Sequence, residues 1–379
     1  MTNRTDTPPN PSRRSLSGAW LPLALMHLVL SFSPLSAQDA PLPSDAIRRS
    51  GFLYDEAPFP SAHASTLAES GNHILAAWFG GTAEGRDDVC IWLSRFDGSG
   101  WSDPVKVADG IQADGTRFPC WNPVLFQVSS GPLLLFYKVG PNPREWWGMV
   151  RASDDGGLHW SAAVRLPAGI LGPIRAKPLE IDGTLLAGSS TEHDGWVVHM
   201  ERLGIPHIPA YEPDRAKRMA EETGRHSHWT RGGSLNDPEE FGAIQPTLLW
   251  LGGDSLRILC RSRQGVITCC DSPDRGVTWG PMTATSLPNP SAGIDALRLT
   301  DGRFLLVYNP LTDGREKLAL AQSADGRHWQ ILGLLENAPG EYSYPALIQA
   351  SDGLVHISYT WRRERIRHLA IDPSLLPGL

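Results

Sequence analysis

Six polar residues stand at the start of six similar stretches of this chain. Each is followed by a short apolar run, a glycine-containing or polar turn and a second apolar run. The six are His63, Asn122, Lys177, Gln245, Asp295 and Tyr344, with Tyr342 as the alternative in the last stretch. In equivalent units around one axis, these side chains would meet at one end of that axis. A single polar residue at this position would be equally consistent with the lining of a water-filled channel. The six together predict a ligand site.

A second repeat marks the units that would carry these residues. Residues 153–160 read SDDGGLHW and residues 272–279 read SPDRGVTW, and looser copies end at Trp101 and Trp329. In such a turn the aspartate accepts backbone N–H bonds, the glycine takes a positive φ and the tryptophan packs beneath. We interpret the phrase as a structural hairpin clip and not as a catalytic motif.

The repeats predict an all-β fold, a six-bladed β-propeller spanning residues 38–379 as one domain. Six units of about 55 residues match the size of four-stranded blades. A β-sandwich is the alternative, but it would not require six matched strand starts.

One stretch, at about 204–240, breaks this rhythm between the third and fourth units, and we treat it as an insertion loop. Its AKRMAEE segment predicts a two-turn helix. His226 and His228 lie nearby, but they lack a third ligand at a suitable spacing. No metal site and no cofactor are therefore predicted.

Composition limits the possible partners. The chain has 379 residues, 41% hydrophobic and 20% charged, with a net charge of −7, which is typical of a globular protein with a large core. This mild acidity argues against nucleic acid as a partner. The 38 glycines, 32 prolines and 14 tryptophans favour many turns and short strands.

Residues 1–37 have the organisation of a signal peptide. Arg13 and Arg14 precede an apolar run from Ala19 to Phe32, and Leu-Ser-Ala ends at Ala37. The run is about 14 residues long, short for a membrane span. We expect a secreted or periplasmic protein, exported by the general or the twin-arginine route, without a membrane span after cleavage. A retained N-terminal anchor is the alternative.

The cysteine pattern predicts neither a metal site nor a full set of disulfides. The five are Cys90, Cys120, Cys260, Cys269 and Cys270. An odd number cannot all pair internally, and no C-x-x-C spacing occurs. We expect mostly core residues and at most one disulfide, which the sequence does not assign.

The clips resemble the Asp-box (BNR) repeats of the sialidase (neuraminidase) superfamily, and the resemblance extends from His63 to about Asp372. It implies a β-propeller with glycosidase activity. The segment GEYSYPALIQ at 340–349 is similar to the one that carries the sialidase nucleophile, which places that role on Tyr342.

Two more segments resemble those that carry sialidase carboxylate-binding arginines. LLVYNPLTDGR at 305–315 places one such role on Arg315, and LCRSR at 259–263 places another on Arg261 or Arg263. Guanidinium forks bind a carboxylate through two hydrogen bonds. A tyrosine nucleophile repels an anionic sugar less than a carboxylate would, and tyrosine is the known exception among glycosidases.

The acid/base aspartate of the family lies in the first blade. EGRDD at 84–88 stands in the matching place, so Asp87 or Asp88 is the candidate, with Arg86 as a further carboxylate ligand.

The sequence departs from the family at two positions. His63 stands where the family has its first arginine, and Gln245 stands where it has the glutamate that activates the tyrosine. Glutamine cannot act as a base. Glu341, Glu192 and Glu180 are the replacements that remain, although no motif supports them.

Three functions follow. The first is an exo-acting sialidase-like glycoside hydrolase on acidic glycans. The second is a polysaccharide lyase, in which His63 and Tyr342 move protons while Arg315 and Arg261 neutralise a uronate. The third is a non-catalytic glycan-binding propeller. In each, the partner is an acidic oligosaccharide or polysaccharide, and we expect a monomer. The tryptophans expected near the ligand are Trp121, Trp146, Trp147 and Trp361.

Overall fold

The computed structural model describes residues 40–378, which form twenty-four strands (β1–β24) and one α-helix (α1). The predicted signal peptide lies outside the described residues. The strands form six four-stranded antiparallel sheets, five of them built from strands consecutive in the chain and the sixth from the last three strands together with the first. The predicted six-bladed β-propeller is therefore confirmed.

The first three blades run from Ser61 to Arg231. Blade 1 contains β2 (Ser61–Ser70), β3 (His73–Gly81), β4 (Cys90–Phe96) and β5 (Val105–Ala108). Blade 2 contains β6 (Cys120–Gln127), β7 (Leu133–Val139), β8 (Trp147–Ser153) and β9 (Val164–Arg165). Blade 3 contains β10 (Leu179–Ile181), β11 (Thr184–Thr191), β12 (Val197–Gly204) and β13 (Trp229–Arg231).

The last three blades complete the ring. Blade 4 contains β14 (Ala243–Gly252), β15 (Ser255–Ser262), β16 (Val266–Ser272) and β17 (Thr283–Pro288). Blade 5 contains β18 (Asp295–Arg298), β19 (Phe304–Tyr308), β20 (Lys317–Ser323) and β21 (Gln330–Asn337). Blade 6 contains β22 (Tyr342–Gln349), β23 (Val355–Trp361), β24 (Arg365–Ile371) and β1 (Ile47–Phe52).

The N-terminal strand β1 closes the ring, because it is the outer strand of the last blade and pairs antiparallel with β24. The hydrophobic core consists of layers between neighbouring blades. Leu75 and Ile91 of blade 1, for example, pack against Leu125 and Tyr137 of blade 2. Closure lets every blade bury both faces against its neighbours and leaves only short, protected sheet edges.

The two faces of the propeller have different contents. In blade 1, Ser61 at the start of the inner strand pairs with Gly81, and Gly80 pairs with Cys90. The start of the inner strand therefore lies at the same end as the loop 82–89. We call this end of the six blades the mouth face and the opposite end, where the clips follow the third strands, the clip face.

The clips have the turn chemistry predicted for them. Asp155 accepts hydrogen bonds from Ser153 Oγ and from the N–H groups of Leu158 and His159. Gly157 has a φ of +79°, and its carbonyl accepts a bond from the indole of Trp160. The clips are structural and lie away from the mouth face.

Glu180, one of the possible replacement carboxylates, joins two blades. It accepts bonds from Ser129 N (2.9 Å) and Ser129 Oγ (2.5 Å) in the turn of blade 2. Glu69 makes the same contacts with Ser351 of blade 6. The repetition identifies a blade-to-blade tie on the clip face.

The stretch at 204–240 is not a simple insertion between the third and fourth units. It contributes β13, the outer strand of blade 3, which the irregular sequence concealed. The predicted helix is present as α1 (Arg215–Thr223), and it buries Met219 and Ala220 against blades 2 and 3. His228 contacts Glu222 at 3.1 Å.

All five cysteines are buried and free, as expected for core residues, and the one disulfide left open by the sequence is not formed. None of the helices between residues 40 and 378 has the length and apolar character needed to cross a membrane.

Candidate functional site

A β-bulge at the same place in four inner strands shapes the mouth of the axis. In blade 6, Ser343 pairs with Thr360 and Ala346 with Ser358, so one extra residue is accommodated in β22. The bulge holds Tyr344 at a φ of +54°. Bulges of this kind redirect a side chain out of the regular alternation of a strand. The equivalent residues of the other blades are Ala64, Asn122 and Gln245.

Tyr344 is surrounded by arginines from three other blades. Arg261 Nη1 donates a hydrogen bond to the phenol oxygen at 2.6 Å. The guanidinium carbons of Arg175, Arg261 and Arg315 lie 5.4, 5.5 and 5.9 Å from the ring centroid. Such a concentration of cations around one phenol predicts an anionic ligand.

His63 packs against Tyr344, with ring centroids 4.2 Å apart. It is 1% exposed, and neither ring nitrogen has a hydrogen-bond partner among residues 40–378. Burial, together with the charges of Arg363 and Arg315, lowers the pKa of His63 well below its usual value. The lowered pKa favours the neutral imidazole.

A carboxylate holds two arginines at the rim. Glu341 accepts bonds from Arg315 Nη1 and Arg363 Nε, both at 2.8 Å. Arg363 also pairs with Glu84 of blade 1. Burial opposes ionisation of Glu341, but its bond to Arg363 and the charges of both arginines hold its pKa below the ordinary value. Glu341 is thus an ionised positioning group.

Glu192 lies on the loop between β11 and β12, beside Trp196. The Trp196 ring lies under two guanidiniums, with Arg261 at 5.0 Å and Arg263 at 4.4 Å. Burial raises the pKa of Glu192, although the charge of Arg261 and a hydrogen bond with Trp196 act against this. A carboxyl group with a raised pKa suits general acid catalysis.

The first-blade loop separates the two aspartates predicted there. Asp88 accepts bonds from Thr82 N (2.9 Å) and Thr82 Oγ1 (2.6 Å). Burial alone would raise the pKa of Asp88, but these bonds hold it below the ordinary value, so Asp88 braces the loop. Asp87 and Arg86 are exposed on the mouth face, where a substrate can reach them.

Tyr342, which the family resemblance places as nucleophile, lies elsewhere. It is 1% exposed and packs in the core between blades 5 and 6, 6.4 Å from Trp361. Its phenol oxygen is 3.5 Å from the Pro339 carbonyl. The arginines gather at Tyr344 instead, because the bulge turns Tyr344 toward them.

Two of the other strand-start residues, Lys177 and Asp295, hold neighbouring blades together. Lys177 Nζ bonds Asp295 Oδ2 at 2.8 Å. Asp295 also accepts bonds from Thr247 Oγ1 and Leu347 N, so one carboxylate joins blades 3, 4, 5 and 6. Asn122 and Gln245 are buried at their bulges.

Three residues of the mouth were missed by sequence reasoning: Arg175, Arg363 and Trp196. Arg175 is 3% exposed and donates to the carbonyl of Pro345, which fixes the backbone next to Tyr344. Arg363 and Trp196 lie on loops between the second and third strands of their blades. Arg315 and Glu192 lie on equivalent loops, so the same position in every unit points to Arg363 and Trp196, but not to Arg175.

Of the predicted tryptophans, Trp146 lies at the mouth and packs 5.9 Å from the buried Trp121, while Trp147 packs on Phe118. Within residues 40–378 no cluster of three or more metal-ligating side chains occurs.

Comparison with known proteins agrees with this geometry. Residues 72–357 match the family model described as BNR repeat-like domain. No curated protein sequence matches the chain.

Several solved structures share the fold. The Hadza microbial sialidase Hz136 has a TM-score of 0.64 at 17% identity, over 84% of this chain and 66% of that chain, so this chain spans slightly less than two thirds of its length. The K499G mutant of NanB sialidase from Streptococcus pneumoniae has a TM-score of 0.65 at 12% identity, over 88% and 71% of the two chains.

The alpha-L-arabinanase of Penicillium chrysogenum, solved with arabinobiose, has a TM-score of 0.61 at 14% identity, over 86% of this chain and 99% of that chain. At these identities the likeness concerns the fold alone. The family match, which covers most of the chain, together with the six blades and the repeated clips, shows that this chain belongs to the BNR repeat-like domain family.

Proposed function

We propose that this protein is an exported glycoside hydrolase that removes an acidic sugar from the end of a glycan. The observation that carries the proposal is the hydrogen bond between Arg261 and the Tyr344 phenol, inside a group of arginines on the mouth face. Export rests on the signal-like segment at 1–37, and we expect the protein to act as a monomer.

Arg261, Arg315 and Arg363 bind the carboxylate of the substrate. Arg363 supplies the third guanidinium that the first blade lacks. The backbone carbonyl of Arg363 accepts the N–H of Ala62, which brings Arg363 close to His63 at the start of that blade. Glu341 holds Arg315 and Arg363 in place before the substrate arrives. Such preorganisation avoids an entropic cost on binding.

Tyr344 is the nucleophile in this proposal. Its phenol oxygen attacks the anomeric carbon, the bond to the leaving oxygen breaks, and water later hydrolyses the glycosyl–tyrosine bond. Arg261 stabilises the charge that passes through the phenol oxygen in the transition state.

His63 and Glu192 move the protons. The neutral imidazole of His63 accepts the phenol proton, and a bound carboxylate favours this step by offsetting the arginine charges that lower the pKa of His63. Glu192, with its raised pKa, protonates the leaving oxygen. Asp87, exposed on the first-blade loop, is the alternative acid.

A polysaccharide lyase is the second candidate, and the contact between His63 and Tyr344 favours it. In that reaction the imidazole removes the proton next to the uronate carboxylate, and Tyr344 protonates the leaving oxygen while a double bond forms in the sugar. The arginines would neutralise the uronate, as they bind the carboxylate in the hydrolase.

Product analysis distinguishes the two reactions. Wild-type protein and Glu192→Gln are incubated with aryl glycosides of sialic and glucuronic acid and, separately, with polygalacturonate. Release of the aryl alcohol, reduced in the variant, supports the hydrolase. The hydrolase is rejected if neither aryl glycoside is cleaved while polygalacturonate gains the ultraviolet absorbance of an unsaturated uronate. With neither product, the protein is a glycan-binding propeller.

A further inference from the structure

Arginines and aromatic rings alternate on the mouth face of blade 6, in a set that we call the arginine–aromatic track: Arg362, Trp361, Arg365, Phe52 and Arg367. The guanidinium carbons of Arg362 and Arg365 lie 4.5 and 5.6 Å from the Trp361 ring. Arg365 and Arg367 lie 3.7 and 5.1 Å from the Phe52 ring. The two rings meet edge to face at 5.3 Å.

The track runs outward from the candidate site to the rim. Trp361 ends β23 and pairs with Tyr342 on one side and Arg365 on the other. Phe52 ends the outer strand β1, where it pairs with Arg367. The inner end of the track is Arg362, the neighbour of the site residue Arg363. The track therefore continues the cationic mouth across three adjacent strands.

Much of its charge is not used by the fold. The Arg365 guanidinium stacks on the Phe52 and Trp361 rings and makes no hydrogen bond or ion pair with any residue between 40 and 378. Arg362 is exposed, and its side chain donates to the Pro339 carbonyl at 3.2 Å. Arg367 has the most polar contacts within the fold, since it donates a hydrogen bond to Ser50 Oγ and lies 3.8 Å from Glu336.

Stacking leaves the edges of a guanidinium free. An arginine that lies flat on a ring still presents its N–H groups sideways to a carboxylate. Aromatic surface beside such groups suits the apolar faces of sugar rings. The alternative is that these stacks only secure the closing strand β1. That role does not require Arg362, which lies at the inner end of the track and stacks on Trp361.

We propose that the arginine–aromatic track binds the continuing chain of an anionic polysaccharide whose terminal sugar occupies the Tyr344 site. The inference rests on the proposed function for the identity of the terminal site. It adds that the natural substrate is a polymer with repeated carboxylates, and not a short oligosaccharide with a single acidic sugar.

The test compares Arg362→Gln/Arg365→Gln with wild type and with Arg225→Gln, a matched change near α1 on an exposed side chain. Binding is measured by affinity electrophoresis through polygalacturonate, with neutral dextran as reference, and turnover of an aryl glycoside reports on the Tyr344 site. Circular dichroism confirms folding, and Arg365→Lys serves as second variant if the double variant is unfolded.

We expect the double variant to bind polygalacturonate about tenfold more weakly, since each exposed cationic contact contributes only modestly. The double variant should turn over the aryl glycoside at the wild-type rate. The Arg225→Gln protein should match wild type in both polygalacturonate binding and turnover. The proposal for the track is overturned if wild type and the double variant bind polygalacturonate equally well, or if wild type does not bind it. If the binding is lost as expected but wild type cleaves no aryl glycoside, the track stands and the hydrolase proposal fails.

Discussion

Arg261 of blade 4 reaches the phenol oxygen of Tyr344 in blade 6 with a hydrogen bond of 2.6 Å. The same guanidinium donates to the Ser291 carbonyl at 3.1 Å and lies over the Trp196 ring. Blades 3 and 6 and the segment leading into blade 5 therefore fix the position of one arginine. A donor held this rigidly can stabilise charge on the phenol oxygen without reorganising.

Replacing Arg261 tests that relationship. Arg261→Lys keeps the charge but loses the planar fork, so we expect kcat/KM for an acidic aryl glycoside to fall about 10²-fold or more, as for removal of a preorganised donor. Arg263→Lys, on the exposed side of Trp196, should have a much smaller effect in the same kinetic assay. Equal losses for the two variants would contradict the role given to Arg261.

Gly293 sets the position of the Tyr344 ring. A Cβ atom at Gly293 would lie 3.1 Å from Tyr344 Cγ and 3.3 Å from Arg175 Nε. Gly293→Ala should therefore displace the ring by a few tenths of an ångström and lower kcat about tenfold, because small misplacements of reacting groups are costly. Thermal unfolding should change little. Unaltered kcat in a folded Gly293→Ala protein would show that the ring position is not critical.

Glu341 should contribute stability that depends on pH. Its pKa is lowered in the folded protein, so the contribution is present above the unfolded-state pKa and is lost as pH falls through the folded value. Glu341→Gln should lower the free energy of unfolding by about 1 kcal/mol at neutral pH, a modest amount because the group is partly solvent-screened. Urea unfolding at a series of pH values should show this difference vanish in acid. A difference independent of pH would argue against the ion pairs with Arg315 and Arg363.

A buried histidine pair makes the closing blade sensitive to acid. His356 Nδ1 and His368 Nε2 are 3.0 Å apart, and burial lowers the pKa of both, that of His368 to about 3. The unfolded chain binds protons below the ordinary histidine value of 6.5, whereas the folded pair does not. The free energy of unfolding is therefore highest above that pH, and it falls as the pH drops toward the folded-state pKa values of the pair.

Thermal unfolding between pH 7 and pH 5 measures this effect. His356→Gln/His368→Gln should flatten the decline in melting temperature relative to wild type, while His159→Gln, an exposed clip residue with 90% of its side chain accessible, should not. An equal decline in the double variant would place the acid sensitivity elsewhere, for example at His63.

The sequence predicts the scaffold well because turn chemistry is local. The serine, aspartate, glycine and tryptophan of each clip act on one another within eight residues, so their spacing reveals the turn. The strand starts are predictable for the same reason, and Tyr344 belongs to that set. The fourth strand of blade 3 is hidden, because α1 separates Trp229–Arg231 from the rest of its blade.

The site is less predictable because it depends on contacts distant in sequence. Residues two apart in a regular strand share a face, so Tyr342 and Tyr344 look equivalent until the bulge at Tyr344 separates them. The contact between Arg363 and Glu84 joins residues at opposite ends of the propeller sequence. No spacing rule shows that the two meet when the ring closes.

The central claim is that Tyr344, and not Tyr342, carries the reaction. Tyr344→Phe and Tyr342→Phe each remove one hydroxyl group, and their aryl-glycoside turnover can be compared with wild type in parallel with thermal unfolding. We predict that Tyr344→Phe is folded but loses at least about 10²-fold in kcat, the scale expected for loss of a catalytic group. Tyr342→Phe should keep wild-type turnover, since among residues 40–378 the single hydrogen bond of its phenol is a long one, to the Pro339 carbonyl at 3.5 Å. Retained activity in Tyr344→Phe, or selective loss in a folded Tyr342→Phe protein, would contradict the account.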